Sequence, residues 1–349
     1  MDKARILLVG CGGIGCIAAL NLEYGERAAV TAVLRSSYQI VKESGFTINS
    51  VDHGQVRGFR PTEILNSVPD VSQAGVTPFD YIICATKNMP DIGPPIADLI
   101  RPAVTPGHST ILLLQNGLNI EVPLFEAFPE NVILSGISIC GSSEPATGTI
   151  EHTLHDELRV GPFRDEGDAA DRARDFVARY SAGGRCTCHF DSDVAFSRWR
   201  KLLYNAVYNP VGALTDLDTG DMQLCPGLVD DVVRPAMKEI QAAAAAYGQE
   251  IPDDAIEAMI TTEPIEAHVP PSMLVDVRKV CTHTPVSLPP GGYRQADAYT
   301  SQGQYIEFEN LIGEPLRAAK ARQVQTPILQ NLYSLARSYQ WKVKAKRSA

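Results

Sequence analysis

An α/β fold in two parts, an N-terminal doubly wound parallel sheet followed by a C-terminal all-α half, is what this sequence predicts. Three observations lead there. Short β-rich runs alternate with helix-like stretches through the first half, the first of those runs ends in a glycine-dense turn, and helical spacing dominates from about residue 194 onward. At 349 residues, 44% of them hydrophobic, the chain is too long for one core and apolar enough for two. Domains at 1–192 and 193–349 follow, with a cleft expected between them.

The elements come in order. Residues 6–9, Ile-Leu-Leu-Val, read as the first strand, and 14–23 carry apolar residues at helical spacing. Residues 28–34 are short and β-rich, while 81–85 and 110–114 are continuous apolar runs of the kind found in strands covered on both faces. Further strands within 132–163, chiefly 132–134 and 149–161, close the sheet, and the charged helix 168–180 follows. After Gly183-Gly184 one more β-like run, 185–190, ends the first part. Residues 283–304, with Pro285, Pro289-Pro290 and Gly291-Gly292, read as a long loop between helices.

Bulk properties exclude several classes. A formal charge of -10 argues against nucleic acid, which needs clustered cations to neutralise phosphates, and the short basic run 342–347 reads as a solvated tail. Met1 to Arg5 lead straight into a strand, too short for a secretory signal, and no uncharged apolar run reaches membrane-spanning length. Eight cysteines, at 11, 16, 84, 140, 186, 188, 225 and 281, lack the spacing of a disulfide framework, so a reducing, cytoplasmic setting is expected. Cys186-Thr187-Cys188-His189 has no second ligand pair at usable spacing and alternates like a strand; no metal is expected.

The first strand runs into Gly10-Cys11-Gly12-Gly13-Ile14-Gly15. Glycines in a GxGxxG run tighten the turn and let backbone approach a pyrophosphate at a helix N-terminus, so all six residues are cofactor-binding candidates and the domain reads as a Rossmann domain. At the end of the second strand, where an NAD site usually carries an acidic residue, stand Arg35-Ser36-Ser37. A permanently charged fork beside hydroxyls suits a 2′-phosphate, which points to NADPH/NADP+ over NADH.

In the block 199–215, WRKLLYNAVYNPVGALT, Lys201, Asn205 and Asn209 recur at i, i+4 and i+8 and fall on one face of a helix whose other residues are apolar. Buried polar groups without partners cost about 1–3 kcal/mol each, and a polar small molecule would supply the partners. Together with GCGGIG, Arg35, Thr86-Lys87, Gln115-Asn116-Gly117, Ser272-Met273-Leu274 and Glu307-Phe308-Glu309 leading into Gly313-Glu314-Pro315, this block makes nearly the whole chain resemble the ketopantoate reductase (2-dehydropantoate 2-reductase) family, in the version common in fungi.

The resemblance implies NADPH-dependent reduction of ketopantoate to pantoate, a step of pantothenate biosynthesis. It implies that Lys201 protonates the ketone oxygen and that Glu307 meets the substrate hydroxyl and holds the lysine. It also places Asn205, Asn209 and Ser272 on the substrate, Asn116 beside substrate and nicotinamide, Lys87 near the cofactor, and Ser142, at a strand end, in backbone contact with it. Glu309, two residues beyond Glu307, is expected on another face of the same helix. Thr219 stands where bacterial members carry a further substrate-binding asparagine, Val269-Pro270-Pro271 replace polar residues before Ser272, and the 280–304 connection is longer than usual. A bulkier 2-oxo acid as substrate, of the D-mandelate type or in secondary metabolism, is therefore an alternative, as is an NADPH sensor without turnover. A homodimer is the expected assembly.

Overall fold

The structure, a computed structural model, describes residues 3–73, 75–279 and 304–348. The loop read at 283–304 lies, but for its last residue, outside them. Two compact units divide the chain, Met1–Ser197 and Arg198–Ala349.

In the first unit the elements run β1 (Ala4–Val9), α1 (Gly13–Tyr24), β2 (Ala28–Val33), α2 (Tyr38–Ser44), β3 (Phe46–Ser50), β4 (Gly54–Phe59), β5 (Glu63–Leu65), β6 (Tyr81–Cys84), α3 (Ile96–Ile100), β7 (Thr110–Leu113), α4 (Val122–Ala127), β8 (Ile133–Ala146), β9 (Thr149–Pro162), α5 (Ala169–Tyr180) and β10 (Thr187–Phe190). The strands form one sheet in the order β4-β3-β9-β8-β7-β6-β1-β2-β5, with β10 also on β9. Its centre, β2-β1-β6-β7-β8, is parallel as expected. The sheet as a whole is mixed: β8 and β9 are joined through Gly148 at φ +77°, and so tight a connection can only link antiparallel strands. The β3–β4 hairpin is antiparallel for the same reason.

Alternation along the central strands sends side chains to two faces. Ile6 and Leu8 of β1, Ile83 of β6 and Leu112 of β7 pack with Cys16, Ala19 and Leu22 of α1 and Phe176 of α5. Leu7, Val9, Ile82, Cys84 and Leu113 face the other way, against Ala97 and Ile100 of α3 and Leu124 of α4. Helices on both faces make the sheet doubly wound, and the chain order reverses at β1. The C-terminal ends of β1 and its neighbours are where such sheets take their ligands.

The second unit is helical throughout its described residues, with α6 (Val194–Asn205) crossing the division and then α7 (Tyr208–Thr215), α8 (Thr219–Leu224), α9 (Arg234–Ala245), α10 (Asp254–Ile260), α11 (Ser272–Arg278), α12 (Glu314–Ala321) and α13 (Pro327–Ser348). The continuous helix expected through Lys201, Asn205 and Asn209 is in fact two, α6 and α7, separated at Ala206-Val207. Pro210 is the cause: it has no N–H for the carbonyl of Ala206, four residues back, and its ring crowds that carbonyl. Pro235 and Pro315 act similarly, each following a widened i→i+5 turn, Val229–Val233 and Glu309–Gly313.

Candidate active site

The glycine turn is best described by what a methyl group would meet. Gly10 has φ +93°, and a Cβ there would sit 2.7 Å from the Thr86 amide nitrogen. A Cβ on Gly13 would lie 2.6 Å from the Ser142 carbonyl oxygen, and one on Gly15 only 2.2 Å from the Gly10 carbonyl oxygen. Gly12 differs: its φ is ordinary and nothing stands within 4 Å of the added atom. Gly12 is also the N-cap of α1, a 12-residue helix with neither a side-chain cap nor an acidic residue in its first turn. An open backbone cradle at an uncapped helix N-terminus fits a pyrophosphate. Cys11 and Ile14 turn their side chains to the core, so they can offer a ligand only main-chain groups.

Around that turn stand the neighbouring strand ends. Arg35 is exposed just beyond β2, as is Ser36, whereas Ser37 is buried. Lys87 is exposed after β6 and Asn116 half-buried after β7. Between them, Gln115 donates through Nε2 to the Thr86 carbonyl at 2.8 Å and its hydroxyl at 3.1 Å, tying the two loops together and backing Thr86 against Gly10. Gln115 is not among the contacts expected from the sequence. Its cue was a carboxamide ending an otherwise apolar run. Ser142 lies inside β8 rather than at its end, paired with His152, because the β8–β9 hairpin runs on to Ala146. Its carbonyl abuts Gly13, and its hydroxyl is buried without a partner among the described residues.

In the second unit, half-buried Lys201 and buried Asn205 are one turn apart on α6. The break before α7 keeps Asn209 in reach, and its Nδ2 donates to Asn205 Oδ1 at 3.4 Å. Ser272, the first residue of α11, donates its hydroxyl to Asn209 Oδ1 at 3.2 Å, and the Met273 N–H reaches the same oxygen at 3.4 Å. Three of the predicted substrate residues, Asn205, Asn209 and Ser272, thus form one hydrogen-bonded line. Thr219 takes a different part. Its amide donates to the Val269 carbonyl at 3.0 Å and its hydroxyl accepts from the Val269 amide at 3.2 Å, which pins the segment that leads into Ser272.

Glu307 is buried, but it precedes the widened turn Glu309–Gly313 and is not helical; the shared helix expected for Glu307 and Glu309 is corrected accordingly. Glu309 bonds instead to Arg317 at 3.0 Å and accepts from the Tyr333 hydroxyl at 3.0 Å. Beside Glu307, the Ile306 backbone is held from both sides by Gln340 of α13, at 3.0 and 3.4 Å. Asp218, Asp221 and His268 also converge, yet Asp218 Oδ1 is already spent on the Asp221 amide, where it caps α8, and on His268 Nδ1 at 3.0 Å.

A doubly wound sheet with an open glycine cradle, followed by a helical unit carrying a lysine and a line of amides, is an arrangement suited to a dinucleotide-binding oxidoreductase. Comparison with known proteins agrees. Residues 6–165 match the ketopantoate reductase PanE/ApbA family and residues 193–281 match its C-terminal domain. An uncharacterized protein of Saccharomyces cerevisiae is 35% identical over 99% of this chain and 96% of its own. The crystal structure of 2-dehydropantoate 2-reductase from Methylococcus capsulatus is 28% identical with a TM-score of 0.77, covering 97% of each chain. A ternary structure of D-mandelate dehydrogenase with NADH and anilino(oxo)acetate shares the fold at 19% identity, TM-score 0.78, over 97% of this chain and 99% of that one. The chain belongs to the ketopantoate reductase family.

Proposed function

We propose that this protein reduces ketopantoate to pantoate with NADPH, as a step of pantothenate biosynthesis. The observation that carries the reading is the joint presence of the open cradle at Gly12 and the line Asn205–Asn209–Ser272 one turn from Lys201. NADPH, when bound, supplies the hydride. The N–H groups at the start of α1 hold the pyrophosphate, Arg35 offers its fork to the 2′-phosphate, and Lys87 and Asn116 serve the ribose and nicotinamide side. Hydride addition turns the ketone oxygen into an alkoxide; the Lys201 ammonium stabilises that charge and gives up a proton to it. Glu307 takes the substrate hydroxyl and orients the lysine, while Asn205 and Ser272 hold the rest of the substrate.

A second reading, a bulkier 2-oxo acid, is favoured by one feature. Thr219 is spent on Val269 and offers no amide at the position where the resemblance expects a substrate-binding asparagine. The likeness to the D-mandelate dehydrogenase fold is consistent with it. Oxidation of NADPH and NADH followed at 340 nm with ketopantoate and phenylglyoxylate separates the two, because pocket shape sets kcat/KM between substrates. Higher kcat/KM for ketopantoate with NADPH is expected; preference for phenylglyoxylate installs the second reading, and no turnover with any 2-oxo acid overturns both.

Among the described residues no helix is long and apolar enough to cross a membrane. The proposal includes a cytoplasmic location, which the free thiols support, and a homodimer, for which the exposed Leu335 and Trp341 of α13 offer apolar surface.

A further inference from the structure

Residues 304–307 are neither helical nor part of the sheet, so no regular ladder completes the hydrogen bonding of their backbone. Ile306 and Glu307 are nevertheless buried, and buried peptide groups need partners. Gln340 of α13 supplies them at Ile306. Its Oε1 accepts from the Ile306 N–H at 3.0 Å and its Nε2 donates to the Ile306 carbonyl at 3.4 Å. The sense of that carboxamide is fixed, since a peptide N–H can only donate and a carbonyl only accept. One side chain thus holds both peptide planes that flank Ile306, and the second of those planes carries the nitrogen of Glu307.

Two further ties lie along the same helix. Tyr333, Gln340 and Arg347 recur at seven-residue spacing on α13, two turns apart and so on nearly one face. Tyr333 donates its hydroxyl to Glu309 Oε1 at 3.0 Å, and its ring packs on that of Phe308 with centroids 5.5 Å apart. Arg347 donates to Gln304 Oε1 at 3.0 Å and lies over the Tyr305 ring at 4.3 Å. Residues 304–309 therefore run antiparallel to α13. From Tyr333 to Arg347 the helix rises about 21 Å, and the chain from Gln304 to Glu309 can cover at most about 17 Å, a mismatch the long Tyr and Arg side chains absorb. Glu307 sits between two ties, with Ile306 held before it and Phe308 after it.

We infer that Gln340 is a positioning residue: with Tyr333 and Arg347 it makes α13 a splint that fixes the backbone of Glu307, and so fixes where that carboxylate meets the substrate. The inference rests on the proposed function insofar as Glu307 takes the substrate hydroxyl.

Gln340→Met tests it, because methionine keeps the length and helix propensity of glutamine and removes both hydrogen bonds. For the 2-oxo acid, kcat/KM is expected to fall about 10- to 100-fold, the effect of misplacing a reacting group by about 1 Å, with the NADPH dissociation constant unchanged. In a Glu307→Gln background the same substitution is expected to lower kcat/KM by less than about twofold, since the residue it acts through is already gone. Leu329→Ala opens a cavity on the buried face of the same helix; it is expected to lower the melting temperature at least as far and to leave kcat/KM within about twofold of wild type. An equal loss in both backgrounds, or in Leu329→Ala, makes the role of Gln340 merely structural and overturns the inference. So does a wild-type kcat/KM in Gln340→Met. Should that variant not fold, Tyr333→Phe keeps the ring on Phe308 and loses only the bond to Glu309. It is expected to lower kcat/KM about 2- to 10-fold, and only where Glu307 is present; no fall overturns the inference.

A second measurement needs no turnover. Exchange of the Ile306 and Glu307 amide protons with deuterated water, followed by NMR, is expected to quicken at least about tenfold in Gln340→Met. Unchanged exchange sinks the inference. Should wild type reduce none of the 2-oxo acids, the proposed function falls while this measurement still decides whether Gln340 holds Glu307.

Discussion

Adding one methyl group to the glycine turn at two adjacent positions separates cofactor binding from folding. In Gly12→Ala the new atom enters open space on a backbone of ordinary φ. Loss of unfolded-state freedom favours alanine by about 0.4–1 kcal/mol, and the poorer N-cap costs about as much, so stability should move by less than about 1 kcal/mol. The methyl does, however, occupy the cradle, and crowding a close-packed contact costs about 1–3 kcal/mol, or a roughly 5- to 150-fold weaker NADPH dissociation constant. In Gly13→Ala the same methyl meets the Ser142 carbonyl at 2.6 Å, a backbone atom inside β8 that cannot swing aside. That overpacking is charged to the fold, about 1–3 kcal/mol, and at about 2–4 °C per kcal/mol the melting temperature should fall by several degrees. Differential scanning fluorimetry and NADPH fluorescence titration on both variants are the assays. If Gly12→Ala melts as low as Gly13→Ala, or binds NADPH as tightly as wild type, the assignment of the cradle is refuted.

Three further outcomes are expected. Arg35→Asp removes charge-assisted bonds worth about 1.5–3 kcal/mol and should raise KM for NADPH roughly 10- to 150-fold while leaving that for NADH nearly unchanged; equal effects on both cofactors would contradict the 2′-phosphate role. Lys201→Ala should keep NADPH affinity and lower kcat by about 10²- to 10⁴-fold, and near-normal turnover would remove the proton donor from the scheme. Burial pushes the Asp52 carboxyl up, but the Asp156 amide at 3.0 Å and His155 at 2.7 Å outweigh it and hold the group below the usual carboxylate range. Its folded value is therefore lower than its unfolded one, so its stabilisation is present above about pH 4 and lost as pH falls through the folded value. The gap in melting temperature between wild type and Asp52→Asn should accordingly be widest near neutrality and shrink toward pH 3; a gap independent of pH would show that Asp52 contributes through packing alone.

The parallel centre of the sheet was legible because strands covered on both faces must be continuously apolar, and residues 6–9, 81–85 and 110–114 are. By contrast β3, β4 and β5 went unread. Their residues, such as Asn49, Gln55 and Arg57, are polar and partly exposed, and what orders them lies far along the chain. Asn49 bonds to Glu151, Ser50 to His152, and His53 to Asn21, whose own amide donates to buried Asp156. Local pattern carries no trace of such partners. The same divide runs through the site. Lys201, Asn205 and Asn209 could be read because their spacing conflicts with an apolar helix, whereas Thr219 locking Val269 could not, since fifty residues separate them. Gln340 did leave a cue: it sits on the stripe Leu329, Leu332, Ala336, Val343 of α13, where a carboxamide is as out of place as Asn205 is on α6.

Prolines explain why Asn205 and Asn209 lie within hydrogen-bond reach although the single helix expected to carry them is two. An unbroken helix would hold Asn209 on the same face as Asn205 but direct both amides outward along one line. With Pro210 unable to accept its place in the ladder, the chain turns at Ala206-Val207 and restarts, and Asn209 ends up fully buried with its oxygen on α11 and its nitrogen on Asn205. Pro315 plays a similar part for Glu307: the widened turn it imposes, with the Glu314 amide reaching back to the Glu309 carbonyl, starts only after Glu307 and leaves that residue on non-helical backbone clamped by Gln340. Asn209 and Glu307 are therefore each placed by a proline whose sequence signal says only that a helix ends. A regular helix at either point would present the same side chains at the right spacing and the wrong angle, which is why spacing alone identifies the candidates and cannot orient them.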